Sequence, residues 1–205
     1  MRHYNETDYV NQVAHIKIAN AKLMSFSDFE KLINAVELDS SLFDDDISDT
    51  LEFLEEIGAG EVLAIKKLER QYYNEKVRIK SEFLEFGKPI NGGDIDNELD
   101  EAFFAEREEI VKDIPDGLLR EILETEKEVF DIEVRRRKGE KVDSDREKHF
   151  NALLQKARGM SFGLAPLYAY LLDKEKEIIL IRMILVCKNS GMDSSKIKEI
   201  VKKYV

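Results

Sequence analysis

Tryptophan is absent from this sequence, cysteine occurs once and proline three times, and each shortage removes a class of structure or chemistry. The lone Cys187 has no partner in the chain, so no intramolecular disulfide can form, and a reducing cytoplasm is the expected home. Pro89, Pro115 and Pro166 stand far apart, which leaves room for long helices between them. An uninterrupted apolar run is missing too. The most apolar stretch, Leu164 to Cys187, is broken by Asp173-Lys174-Glu175-Lys176-Glu177 and again by Arg182, so it does not supply the ~20 apolar residues that cross a bilayer. The opening Met1-Arg2-His3-Tyr4-Asn5-Glu6 lacks the apolar core of a signal peptide. Any membrane span is therefore expected to come from a partner.

Positive charge is in deficit. The formal net charge is −11, which excludes a general nucleic-acid binder, because such affinity comes from Lys and Arg neutralising phosphates. Motifs of catalysis are missing as well. There is no Gly-x-x-x-x-Gly-Lys-Ser/Thr phosphate loop, and Gly92-Gly93 is followed by Asp94 and Asp96, which repel phosphate. No Gly-x-Ser-x-Gly elbow is present. His3, His15 and His149 have no second ligand at zinc-site spacing. Asp94, Asp96, Glu98 and Asp100 alternate as in a calcium loop but lack its sixth-position Gly and twelfth-position Glu, and they read as helix-initiating carboxylates. Asp44-Asp45-Asp46 reads as an acidic solvated loop. The expectation is a protein with no catalytic residue, no cofactor and no metal. Arg135-Arg136-Arg137-Lys138 is the one concentrated basic feature, placed where cations complement a helix C-terminus.

What is present is helical pattern. Apolar residues make up 43% and charged residues 37%, a balance that suits a helical protein with one or two cores. A first helix is predicted from about Asp8 to Met24. Ser27-Asp28-Phe29-Glu30 has the form of a capping box and opens a second. Asp39, Asp44, Asp45, Asp46 and Asp49 mark a loop, followed by a short helix, Ile47 to Ile57, that stops at Gly58. From Glu61 to Phe86, Val62, Ile65, Leu68, Tyr72, Ile79, Phe83 and Phe86 recur at three- and four-residue steps. Gly87 to Gly93 is the main interior loop. Helices follow from near Ile95 to Pro115-Asp116-Gly117, from Leu118 to about Lys138, and from the box-like Ser144-Asp145-Arg146-Glu147 to Gly159. A long helix opens at Pro166 and runs to Cys187, and a last one covers Ser195 to Tyr204, capped by Asp193 or Ser194. No segment alternates with period two, so the fold class is all-α, a bundle of amphipathic helices. It forms either one domain over residues 1–205 or two lobes, about 1–90 and 91–205. Tyr72-Tyr73-Asn74-Glu75-Lys76-Val77, Val129-Phe130-Asp131-Ile132-Glu133-Val134 and Ile178-Ile179-Leu180-Ile181-Arg182-Met183 form a weak internal repeat.

The tail carries a more specific pattern. Gly163-Leu164-Ala165-Pro166-Leu167, then Tyr170-Leu171-Leu172-Asp173-Lys174-Glu175-Lys176-Glu177-Ile178, then Ile181-Arg182-Met183-Ile184-Leu185 and Lys188 resemble the C-terminal signature of the C subunit family of V-type (archaeal A-type) ATP synthases, relatives of the d subunit of eukaryotic V-ATPases. That signature continues to a Tyr-Val, here Tyr204-Val205. Tyr9-Val10-Asn11, Ala21 to Ser25 and Asp28 to Leu32 look like the family's opening helix and turn, and Asp96 to Phe104 is similar to its repeated lobes. The resemblance implies pseudo-repeated helical lobes, shortened relative to the family's three-lobed funnel. It also implies a non-catalytic central-stalk connector on the cytoplasmic, inner face of the membrane. Its partners would be the central-shaft subunits and the proteolipid ring, and its setting ion or proton transport coupled to ATP synthesis or hydrolysis. Pro166, Tyr170, Glu177, Arg182 and Lys188 match the signature and are expected to serve as structural or interface residues. A free-standing helical adaptor or regulatory protein is the alternative.

Overall fold

The computed structural model describes residues 9–20, 22–35, 48–86, 92–137, 139–142 and 144–204. They form nine helices: α1 (Val10–Asn20), α2 (Phe26–Asn34), α3 (Ser48–Glu56), α4 (Gly60–Phe86), α5 (Gly92–Lys112), α6 (Gly117–Arg137), α7 (Asp145–Gly159), α8 (Ala165–Asn189) and α9 (Ser194–Lys202). Among the described residues there is no strand, and the fold is all-α as the periodicity predicts. His3, Pro89, Asp39 and the Asp44-Asp45-Asp46 loop lie outside the described residues.

Local chemistry sets the helix ends, in several places differently from expectation. α2 begins at Phe26, so Ser27 falls inside the first turn and the box forms two residues earlier. The Asp28 amide donates to Ser25 Oγ at 3.3 Å, and the Ser25 amide donates back to Asp28 Oδ2 at 3.1 Å. Glu30, freed from that role, faces Lys198 at 3.6 Å. α1 stops at Asn20, short of Met24, and Met24 instead packs against the core under α2. Ser144 occupies the N-cap position of α7 without a side-chain cap bond. Its expected partner Glu147 accepts from Arg136 at 2.8 Å instead, because a charged partner outcompetes a backbone amide for the carboxylate. Gly92 and Gly93 belong to the first turn of α5 rather than to a loop. Gly58, with φ 71°, ends the α3 region as predicted, its backbone taking the left-handed conformation that only glycine adopts cheaply.

Two larger cores and a smaller one hold the helices together. The main core draws Val13 and Ile16 from α1, Leu54 from α3, Ile65 from α4, Ile122 and Leu123 from α6, Leu154 from α7 and Leu167, Tyr168 and Leu171 from α8. A second core joins Phe29, Leu32 and Ile33 of α2 to Ile181, Ile184 and Leu185 of α8 and Ile197 and Val201 of α9. Leu68, Tyr72 and Phe103 form a third between α4 and α5. The first half of α8 thus lies in one core and its second half in another. A bidentate pair from Arg158 to Asp173, at 2.8 and 2.6 Å, fixes α8 against α7 between them.

Candidate functional site: an aromatic cleft with a charged floor

Asp116 positions the helices that build the site. Its Oδ1 accepts from the amides of Leu118 and Leu119 at 3.0 and 3.1 Å. Its Oδ2 accepts from the amides of Leu164 and Ala165 at 2.9 and 3.2 Å. One buried carboxylate therefore caps the N-termini of both α6 and α8, where orphan amides and the helix dipole favour negative charge. In the sequence Pro115-Asp116-Gly117 reads only as a break. Asp two residues before an apolar pair is the signal that points to a cap.

With α6 and α8 started from one point, and α4 packed on α5, a cleft of about 410 Å³ lies between α4, α5, α6 and α8. Its walls are aromatic and aliphatic: Tyr72, Tyr73, Phe103, Phe104, Phe130, Leu172, Ile178 and Ile179. Tyr72 stacks on Phe103 with ring centroids 4.2 Å apart, and Phe104 meets Phe130 at 5.1 Å. The three repeated stretches of the sequence fall on α4, α6 and α8, and Tyr72, Phe130 and Ile178 from them share this cleft.

The floor is ionic. Lys66, only 3% exposed, donates to Glu69 at 2.8 Å and to Glu175 of α8 at 3.0 Å. Its ammonium also lies 4.8 Å from the centre of the Tyr168 ring. Tyr168 donates to Glu126 at 2.7 Å. Arg107 donates to the same Glu126 oxygen at 2.5 Å and to the Leu123 carbonyl at 2.8 Å. Three carboxylates thus face two cations. Burial pushes Glu126 above the ordinary carboxylate range, with the Glu69 charge adding to it. Burial likewise raises Glu175, against the pull of Lys66. Burial opposes the Lys66 charge, yet Glu69, Glu175 and Glu126 outweigh it and hold the ammonium above its usual value. The Tyr168 phenol is pushed well up by burial and by Glu126. Such groups hold one another in place; a lysine kept charged this firmly is not a nucleophile at neutral pH. At the edge of the cleft, burial and the Asp100 bond lift the Tyr72 phenol to about 12.

None of Lys66, Arg107 and Glu126 stands out in the sequence by motif. The signal is there all the same: each interrupts an apolar stripe at helical spacing, Lys66 after Val62, Arg107 between Phe103 and Ile110, and Glu126 between Leu123 and Phe130. The five signature residues fare differently. Pro166 is buried in the first turn of α8, suited to a position whose amide has no helical partner. Tyr170 packs against the main core. Glu177 is buried with Lys174 at 3.7 Å. Lys188 donates to the carbonyls of Leu32, Ile33 and Ala35, at 3.1, 3.1 and 2.5 Å. Arg182 alone of the five is exposed, at the edge of the cleft. In the basic run, Arg135 pairs with Glu140 at 2.7 Å and Arg136 with Glu147, while the Arg137 side chain and Lys138 lie outside those described. Asp100, from the calcium-like run, accepts from Tyr72 and Lys76, both at 2.6 Å, and the side chains of Asp94 and Asp96 lie outside those described. His15 is exposed, and His149, also exposed, faces Glu121 at 3.7 Å.

Residues 127–200, from the middle of α6 into α9, match the family model described as ATP synthase (C/AC39) subunit. No curated protein and no solved structure matches the chain. All five signature residues, together with Tyr168 and Glu175 of the cleft, lie inside the matched segment. The likeness read from the tail is the one this match supports: residues 127–200 are similar to the ATP synthase (C/AC39) subunit family.

Proposed function

We propose that this protein is a non-catalytic connector in the central stalk of a V-type or A-type rotary ATP synthase, linking the rotor shaft to the membrane proteolipid ring. The family match over residues 127–200 carries the reading. The physical character of the matched segment fits it. A connector transmits torque, so it needs stiff elements tied firmly to one another rather than a reactive centre. α8 has that form: 25 residues long, capped by Asp116 at its start, clamped to α7 by Arg158–Asp173, and joined to α2 through Lys188. Its membrane contact would run through the partner subunits, since no helix among the described residues is long and apolar enough to cross a bilayer. On this reading the protein sits at the cytoplasmic face, between shaft and ring, and takes no cofactor.

Coupling tests this directly. In membrane vesicles from cells depleted of the chain, ATP hydrolysis by the catalytic head should no longer drive ion uptake, and adding back the purified protein should restore uptake. Full ion pumping in vesicles shown to lack the chain would refute the connector role and favour the adaptor alternative.

A further inference from the structure

We propose that the aromatic cleft between α4, α5, α6 and α8 is a binding site for a small organic cation, a primary ammonium carried on an apolar body. The cleft volume, about 410 Å³, falls within the range of small-ligand sites, about 300–1,000 Å³. Tyr72, Tyr73, Phe103, Phe104 and Phe130 line it, and the faces of aromatic rings attract cations. Cations of the protein already use two of these rings. Lys76 lies 5.0 Å from the centre of the Tyr72 ring, and Lys127 lies 5.6 Å from that of Phe104.

The carboxylates set the sign of the ligand. Five cations and three carboxylates line the cleft, but the cations are largely committed. Lys66 is taken up by Glu69, Glu175 and the Tyr168 ring, and Arg107 by Glu126 and the Leu123 carbonyl. Lys127 faces Glu108 at 3.6 Å, and Arg70 has a partner of its own. That leaves Arg182, exposed at the edge, where water screens its charge. The carboxylates are only half used. Glu69, Glu126 and Glu175 accept through Oε2 in the bonds of the floor, and Oε1 of each takes no part in them. Their side chains are 17%, 26% and 28% exposed, so a ligand in the cleft can reach them. Their charge is felt at its mouth as well. The Tyr73 phenol is pushed up by desolvation and next by Glu69 and Glu126, with Glu175 adding to them against the pull of Lys66. A neutral apolar ligand would leave the Oε1 atoms without a donor, and an anion would meet like charge. An ammonium supplies both donors and the opposite sign. The site stands whether or not the chain works as a stalk connector.

The test titrates the full chain with 2-phenylethylammonium, and in parallel with 2-phenylethanol and phenylacetate as its neutral and anionic counterparts. NMR follows the tyrosine and phenylalanine ring resonances, and calorimetry gives the affinities. The ammonium should shift the rings of Tyr72, Phe103 and Phe130, raise the urea midpoint of the chain, and bind at least tenfold more tightly than either counterpart. Glu175→Gln should weaken it about tenfold, and Tyr73→Leu, which keeps an apolar wall but removes the ring, about threefold. A cooperative urea transition will show that each variant folds, and Tyr73, 60% exposed, provides the test even where Glu175→Gln does not fold. Ring shifts absent up to the solubility limit of the ammonium, or confined to rings outside the cleft such as Phe29, would overturn the site. So would equal binding of 2-phenylethanol, tighter binding of phenylacetate, or full affinity in both variants.

Discussion

Lys188 illustrates how one side chain can replace a helix cap. The last carbonyls of α2 have no helical partners, and the ammonium meets two of them and the carbonyl of the C-cap residue Ala35 from α8, adding favourable charge at the negative end of the dipole. Lys188→Met should lower unfolding stability by about 2 kcal/mol, measured as a shift in urea midpoint. Glu126 offers a second test at this scale. Its folded pKa lies above its ordinary 4.5, so the native state holds more of its proton than the unfolded chain. A group of that kind favours folding at low pH and loses its contribution as pH rises above 4.5 towards the raised value. As pH rises above 4.5, wild type should therefore lose more stability than Glu126→Gln does, read from urea midpoints at each pH. Lys66 works in the other direction on the scale. Its raised pKa leaves its contribution fully present below its ordinary 10.5, to be lost only as pH climbs beyond.

Among the elements, α6 and α8 depend on Asp116. Asp116→Ala would strip two helix N-termini of their acceptor at once and should cost about 3 kcal/mol, roughly twice the usual cap. Asp116→Asn, which keeps one acceptor oxygen, should cost less; equal losses for the two variants would show that the double cap is misassigned. Helix existence and order are legible in the sequence because apolar spacing and Gly and Pro punctuation are local signals. The long α4, the stop at Gly58 and Pro166 in the first turn of α8 all follow from them. Capping chemistry is less legible, because Ser25 and Ser27 are equally good caps and the choice rests on how α2 seats Phe29 and Ile33 in the second core. The cleft residues are legible one by one, as charges that interrupt apolar stripes, but their meeting is not. Lys66, Arg107 and Glu126 stand far apart in the chain, and only the packing of α4, α5, α6 and α8 brings them together.

At the scale of the whole molecule, α8 is the member that joins the two larger cores, and the matched segment 127–200 contains it entirely. Strain applied to the α2–α9 end would pass along α8 to the main core, as a mechanical connector requires. The most direct measurement is recovery of the tagged chain from gently solubilised membranes that contain the intact enzyme, with the co-purifying proteins identified. The account predicts that shaft subunits and the proteolipid come with it. Recovery of the chain free of every ATP synthase subunit would contradict it.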